Sequence, residues 1–177
     1  MTTGVRGVGV DIVDLGAFAA SLAEPGTRLT RAFSATERRQ CRERAESRGA
    51  RPGEATVSSS SGASGASAPG TSGPAPARRE DPLARHLAAR WAAKEAVVKA
   101  WSAALYGAPP PIAPDLLRWS EIETVCDNWG RPSVRLGGEV ARQVAATIGE
   151  GARWNVSLSH DGGSAIAFVV LEGPGVQ

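Results

Sequence analysis

Cysteine, histidine, methionine and tyrosine are scarce in this chain, at 2, 2, 1 and 1 among 177 residues. Two cysteines, Cys41 and Cys126, cannot build a disulfide framework or a four-thiolate zinc site. Both are expected as small, buried or half-buried residues. With only His86 and His160, a histidine-rich zinc site is also disfavoured. No apolar run approaches the roughly 20 residues that a membrane span needs. The opening MTTGVRGVGVDIV lacks a basic segment followed by a long apolar stretch, so no signal peptide is expected. A reduced, cytoplasmic protein off the membrane is the expectation. Neither sign of charge dominates: 20 Lys and Arg against 18 Asp and Glu leave +2, too even for bulk nucleic-acid binding.

What is present suffices for one folded domain. Hydrophobic residues make up 42% of the chain, enough for a sizeable core. Composition breaks between Ser47 and Glu80, where 27 of 34 positions are Ser, Gly, Ala, Pro or Thr and Val57 is the only bulky aliphatic. Such a stretch cannot bury enough apolar surface to offset the entropy of ordering it. It reads as a disordered insertion at 47–80 within a single domain spanning 1–177, since the piece before it is too short to fold readily alone.

Val8, Val10 and Ile12 alternate with Gly9 and Asp11, a strand signal, and Leu15, Phe18, Ala19 and Leu22 follow at helical spacing. Ser34 and Glu37 fit a capping box for a helix from Ala35 to about Ala45. Asp81 and Pro82 then open the longest helix, free of Gly and Pro up to Leu105. On it Leu83, Leu87, Trp91, Val98, Trp101 and Leu105 share one face, and Ala89, Ala92, Ala93, Ala96, Ala100 and Ala103 the opposite one. A helix apolar on both faces is buried on both sides. Its alanine stripe permits close approach of a second backbone, from this chain or a neighbouring subunit. Beyond a proline-rich loop, Ile122 to Val125 and Val134 to Leu136 form a hairpin about the turn Asn128–Pro132. Val140, Val144 and Ile148 mark a helix ending near Gly149. Trp154–Ser159 and Ala165–Leu171 flank a hairpin turn, His160-Asp-Gly-Gly. Strands joined by short turns predict an α+β fold with a largely antiparallel sheet packed on a long buried helix.

Charged groups on the long helix stand out against so much alanine. Glu95, Lys99 and Ser102 share one edge at i, i+4 and i+7, either as an ordinary surface pair or as the border of a cleft. Arg90 and Lys94, one turn apart, either snorkel at the margin of the apolar face or bind an anion. Asp11 interrupts an apolar strand, where an acidic residue is disfavoured. Mg²⁺ typically takes one or two protein carboxylates and fills its shell with water and phosphate oxygens, which a pair of Asp11 and Glu95 would suit. The Gly-rich turn after His160 has neither dinucleotide nor P-loop spacing. Arg28, Arg31, Arg38, Arg39, Arg42, Arg44 and Arg48 face only Glu37, Glu43 and Glu46, a local 7 − 3 = +4 that reads as a solvated face or as a dock for an acidic partner.

Together the segments resemble the holo-[acyl-carrier-protein] synthases, the short class of 4′-phosphopantetheinyl transferases. Gly9-Val-Asp11 is similar to the family's G-x-D motif and Phe33-Ser-Ala-Thr-Glu37 to its F-[ST]-x-x-E. Arg90-Trp-Ala-Ala-Lys-Glu95-Ala-Val-Val-Lys99-Ala matches its K-E-A-x-x-K-A signature block. Gly130-Arg-Pro132 resembles its G-[KR]-P turn, and Ser157-Leu-Ser-His160 its terminal S-[IL]-[ST]-H. The resemblance implies transfer of the 4′-phosphopantetheine arm of coenzyme A to a serine of apo acyl-carrier protein, with release of adenosine 3′,5′-bisphosphate, in fatty acid biosynthesis. It implies a homotrimer with active sites between subunits. Asp11 and Glu95 carry over as Mg²⁺ ligands, Lys99 as a catalytic cation at the diphosphate, and Arg90, Pro132 and His160 as lining of the coenzyme A site. Glu95, a metal-held water and a carboxylate of the carrier are each able to serve as general base. Two other readings are a related transferase for carrier domains of a large multienzyme synthase, and a non-catalytic trimeric nucleotide-binding module. The family usually has a short connection where this chain has the 47–80 insertion, and its frequent basic residue in the first helix is missing between Leu15 and Glu24.

Overall fold

The computed structural model describes residues 3–49 and 81–174. The predicted insertion therefore lies, from residue 50 on, outside the described residues. Its first three residues close a helix, so that helix runs four residues past the expected end.

Strand β1 (Thr3–Asp14) leads directly into helix α1 (Leu15–Ala23), whose cap is Asp14: its carboxylate accepts the Ala17 N–H at 2.7 Å. Helix α2 (Ala35–Gly49) opens on the expected capping box. The Ser34 Oγ accepts the Glu37 N–H at 3.1 Å, and the Glu37 carboxylate accepts the Ser34 N–H at 2.9 Å. Helix α3 (Pro82–Ala104) starts where Asp81 accepts the Leu83 N–H and Pro82 supplies a first-turn residue with no amide hydrogen to satisfy. The hairpin β2 (Ile122–Cys126) and β3 (Pro132–Leu136), helix α4 (Gly138–Thr147), and strands β4 (Arg153–Asp161) and β5 (Ser164–Pro174) complete the order.

Among the described residues all strand pairing is antiparallel, but it divides between two sheets: β1-β5-β4, and the separate hairpin β2-β3. The long helix lies across the larger sheet. Its alanine stripe is the face turned to the strands, with Ala92, Ala93, Ala96 and Ala100 fully buried. Ala103, at the end of the stripe, is exposed. The close approach that the stripe permits is made within this chain, to β1. A Cβ at Gly7 would stand 2.0 Å from the Ala100 carbonyl oxygen and one at Gly9 1.9 Å from that of Ala96. Both neighbours are backbone, so any larger residue would pry strand from helix. On the other face Leu87 and Trp101 are buried, while Leu83, Trp91, Val98 and Leu105 are half-buried.

The last hairpin differs from expectation. His160 is not in the turn but paired with Ala165 in the ladder, and Gly162, at φ 53°, and Gly163 make the bend. On the outer face of the larger sheet β1 and β5 are apolar and open, with Val8, Val10, Ile12 and Phe168 each at least 45% exposed, while β4 presents the exposed polar residues Arg153, Asn155, Ser157 and Ser159.

Candidate active site

Alternation along β1 turns Gly7 and Gly9 onto the helix, and Asp11 follows at the same period. On α3, Glu95 and Lys99 stand one turn apart beside the Gly9 contact at Ala96. The two elements thus bring Asp11, Glu95 and Lys99 together. The Lys99 ammonium donates to Asp11 Oδ1 at 2.8 Å and to the Val10 carbonyl at 3.1 Å. Its ion pair runs across the strand–helix interface, not along the helix. The Glu95 carboxyl is pushed up from the usual carboxylate range, first by burial and then by the Asp11 carboxylate, with Lys99 acting in the opposite sense. Two mutually repelling carboxylates at a half-buried edge are hard oxygen donors of the kind Mg²⁺ takes, with the remainder of its shell left to water and phosphate. Among the described residues no cluster of three or more His, Cys, Asp or Glu side chains is present to hold a metal by protein ligands alone.

Arg90, Pro132 and His160 meet elsewhere, in a cavity of about 370 Å³ whose lining does not include Asp11, Glu95 or Lys99. The predicted site residues thus fall into two groups within one chain. Arg44, read from the sequence as part of a dock for an acidic partner, also lines this cavity, as do His86 and Cys126, which sequence reasoning placed at no site. Arg90 is 2% exposed; it donates to Cys126 Sγ at 3.3 Å and to the His86 carbonyl at 3.5 Å, and among the described residues its Nε has no partner. A buried guanidinium with a donor to spare, beside Arg44 and His160, suits an anion. The hairpin bounding the cavity is braced by Asp127, which accepts the N–H groups of Trp129 and Arg131 and pairs with the Arg131 guanidinium at 2.6 Å. These bonds, the Arg131 N–H foremost, hold the Asp127 carboxyl below the usual range.

Lys94 overturns its expected roles: it neither snorkels nor faces an anion site. It is fully buried and donates to the Glu37 carboxylate at 2.8 Å, to the Trp119 carbonyl at 3.1 Å and to the Ile122 carbonyl. Burial pushes its pKa down, and Glu37 acts against that. All its donors are used within the chain, so none is left for a ligand.

Residues 66–169 match the family model of the 4′-phosphopantetheinyl transferase superfamily. A holo-[acyl-carrier-protein] synthase of Corynebacterium glutamicum is 39% identical over 93% of this chain and 96% of its own. One from Mycobacterium tuberculosis is 37% identical over 97% of this chain and 99% of its own. The chain belongs to this superfamily. Among its members it groups with the holo-[acyl-carrier-protein] synthases, and it is a transferase enzyme. Solved structures of such synthases agree. The coenzyme A complex of the Chronobacterium ammoniagenes protein superposes with a TM-score of 0.72 at 35% identity, covering 98% of this chain and 99% of that one. The Mycobacterium tuberculosis acyl carrier protein synthase gives 0.61 at 32% identity, covering 97% of this chain and all of that one. Among the described residues no helix is long and apolar enough to cross a membrane.

Proposed function

We propose that this enzyme transfers the 4′-phosphopantetheine arm of coenzyme A to a serine of apo acyl-carrier protein, releasing adenosine 3′,5′-bisphosphate, with Mg²⁺ held by Asp11 and Glu95. The observation that carries the reading is the meeting of Asp11, Glu95 and Lys99 across the β1–α3 contact. In the transfer the serine hydroxyl gives its proton to a base at the site, its oxygen bonds to the phosphorus that bears the pantetheine, and the bridging P–O bond breaks. Its electron pair leaves with the bisphosphate. Mg²⁺ bound at the two carboxylates supplies charge neutralisation at the diphosphate. Lys99, whose side chain is 51% exposed, has room to offset the charge on the leaving oxygen. The Arg90 cavity receives the phosphate-bearing nucleotide end of coenzyme A.

The two groups of residues lie apart in one chain, and the β1–β5 part of the outer sheet face is apolar and exposed. Both support a homotrimer in which the Asp11–Glu95–Lys99 edge of one subunit borders the cavity of the next. An acidic carrier protein docks on α2 and the segment before it. Arg28, Arg31, Arg38, Arg39 and Arg42 are exposed there, while Glu37, one of the acids offsetting them, is buried against Lys94. Cytoplasmic residence and a place in fatty acid biosynthesis belong to the same reading. Intact-mass analysis of apo-carrier incubated with coenzyme A, Mg²⁺ and the enzyme tests it: the carrier gains one phosphopantetheine, and an unchanged carrier mass refutes the reading.

A further inference from the structure

A two-stranded sheet is marginal in water by itself, and β2 has a free edge, since β3 pairs only its other side. Among the described residues no strand covers the free edge. Helix side chains take its place. The Thr124 N–H donates to Glu37 Oε1 at 2.9 Å, the Cys126 N–H donates to Gln40 Oε1 at 3.0 Å, and Gln40 Nε2 donates back to the Cys126 carbonyl at 2.9 Å. One turn further along α2, Arg44 lies over the hairpin bend: a Cβ at Gly130 would stand 3.3 Å from its guanidinium. Glu37, Gln40 and Arg44 recur at helical spacing on one face of α2, and strand residues 124 and 126 recur at the period of one strand edge. Gln40 thus gives Cys126 the two hydrogen bonds that a neighbouring strand would give.

Cys126 is also where the hairpin enters the cavity wall, in contact with Arg90, with Gly130 and Pro132 following. We infer that Gln40 is a positioning residue for the ligand cavity: its amide clamps Cys126 and so holds the hairpin wall at the spacing that grips the nucleotide end of coenzyme A. This rests on the proposed assignment of the cavity to coenzyme A. Gln40 touches neither the Asp11–Glu95–Lys99 group nor the cavity, so its loss should act on affinity and spare the chemical step.

The test is titration calorimetry of the full-length protein with coenzyme A and with adenosine 3′,5′-bisphosphate, alongside steady-state transfer and thermal melting. Gln40→Ala should bind both ligands about tenfold more weakly and raise the KM for coenzyme A to match, with kcat at saturation within about twofold. Gln40→Glu keeps the acceptor for the Cys126 N–H and loses the donor, so it should fall between wild type and Gln40→Ala. It also serves where the alanine variant folds poorly. A lowered melting temperature with unchanged affinity in both variants makes Gln40 merely structural and overturns the inference alone. Wild-type protein that binds neither ligand overturns the cavity assignment, and the inference with it.

Discussion

The Lys94 ammonium and the Glu37 carboxylate meet at 2.8 Å with neither side chain exposed to solvent. Breaking such a pair leaves one buried charge uncompensated. Lys94→Met should therefore cost about 3–5 kcal/mol, and adding Glu37→Gln should regain part of the loss by removing the stranded charge while keeping an acceptor for the Thr124 N–H. Urea unfolding of the two variants checks this. A double variant no more stable than Lys94→Met would show that the ion pair is not the origin of the cost.

Asp11→Ala and Glu95→Ala should each abolish transfer while leaving the fold intact, because each removes one of two carboxylates that can hold Mg²⁺. Turnover at limiting Mg²⁺ and circular dichroism measure the two halves of the statement. Near-normal turnover by either variant would remove that residue from the metal assignment.

Lys99→Ala should lower the single-turnover rate at saturating coenzyme A and Mg²⁺ by about 10²–10³, as for loss of one preorganised electrostatic donor. Its half-exposed pair with Asp11 contributes no more than about 1 kcal/mol to stability, so the melting temperature should barely move. Lys99→Arg should rescue in part, since a planar fork does not replace a compact ammonium. Transfer at the wild-type rate by Lys99→Ala would leave the lysine a structural partner of Asp11 and nothing more.

Burial raises the Cys41 thiol from 9.0 to about 11. The folded value lies above the unfolded one, so the contribution of the group is complete below pH 9 and is lost as pH rises through 11. At 1.36 kcal/mol per unit, the loss is about 2–3 kcal/mol. Cys41→Ala should flatten this part of the stability–pH curve between pH 9 and 11, measured by urea unfolding. An equally steep alkaline fall in the variant would assign it to another group.

What the sequence made legible was local. Alternation at Val8, Val10 and Ile12, the Ser34–Glu37 box and the Asp81–Pro82 start each depend on residues within a turn or two, and each marked its element, though α2 runs on to Gly49. Asp11, Glu95 and Lys99 were legible as candidates through their setting among apolar residues and through the signature block. Their meeting was not, because the Lys99–Asp11 bond spans 88 positions. Lys94 was misread for the same reason: its partner Glu37 is 57 positions away, and the helical wheel showed only where the lysine left the helix. Arg44 was legible only as one of a run of arginines, and His86 and Cys126 carried no periodic or motif signal; tertiary packing sets all three around the cavity. His160 was drawn into the turn because the glycines after it are a strong bend signal, whereas pairing with β5 carried the strand two residues further.

The backbone contact of Gly7 and Gly9 with α3 removes the main chain as a means of adjusting the distance between Asp11 and Glu95. Strand and helix already touch, so neither can draw nearer, and the packed core behind them resists their parting. The remaining dimension is side-chain reach: a short acid on the strand and a long one on the helix. Exchanging them, Asp11→Glu with Glu95→Asp, conserves charge, composition and combined length, yet shifts the point midway between the carboxylates toward the helix by about one carbon–carbon bond, ~1.5 Å. A displacement of that size is enough to cost on the order of 100-fold in rate. Single-turnover assays of the exchanged pair should show such a loss with the fold and the net charge untouched, making the lengths of two acids, and not only their presence, a condition of activity.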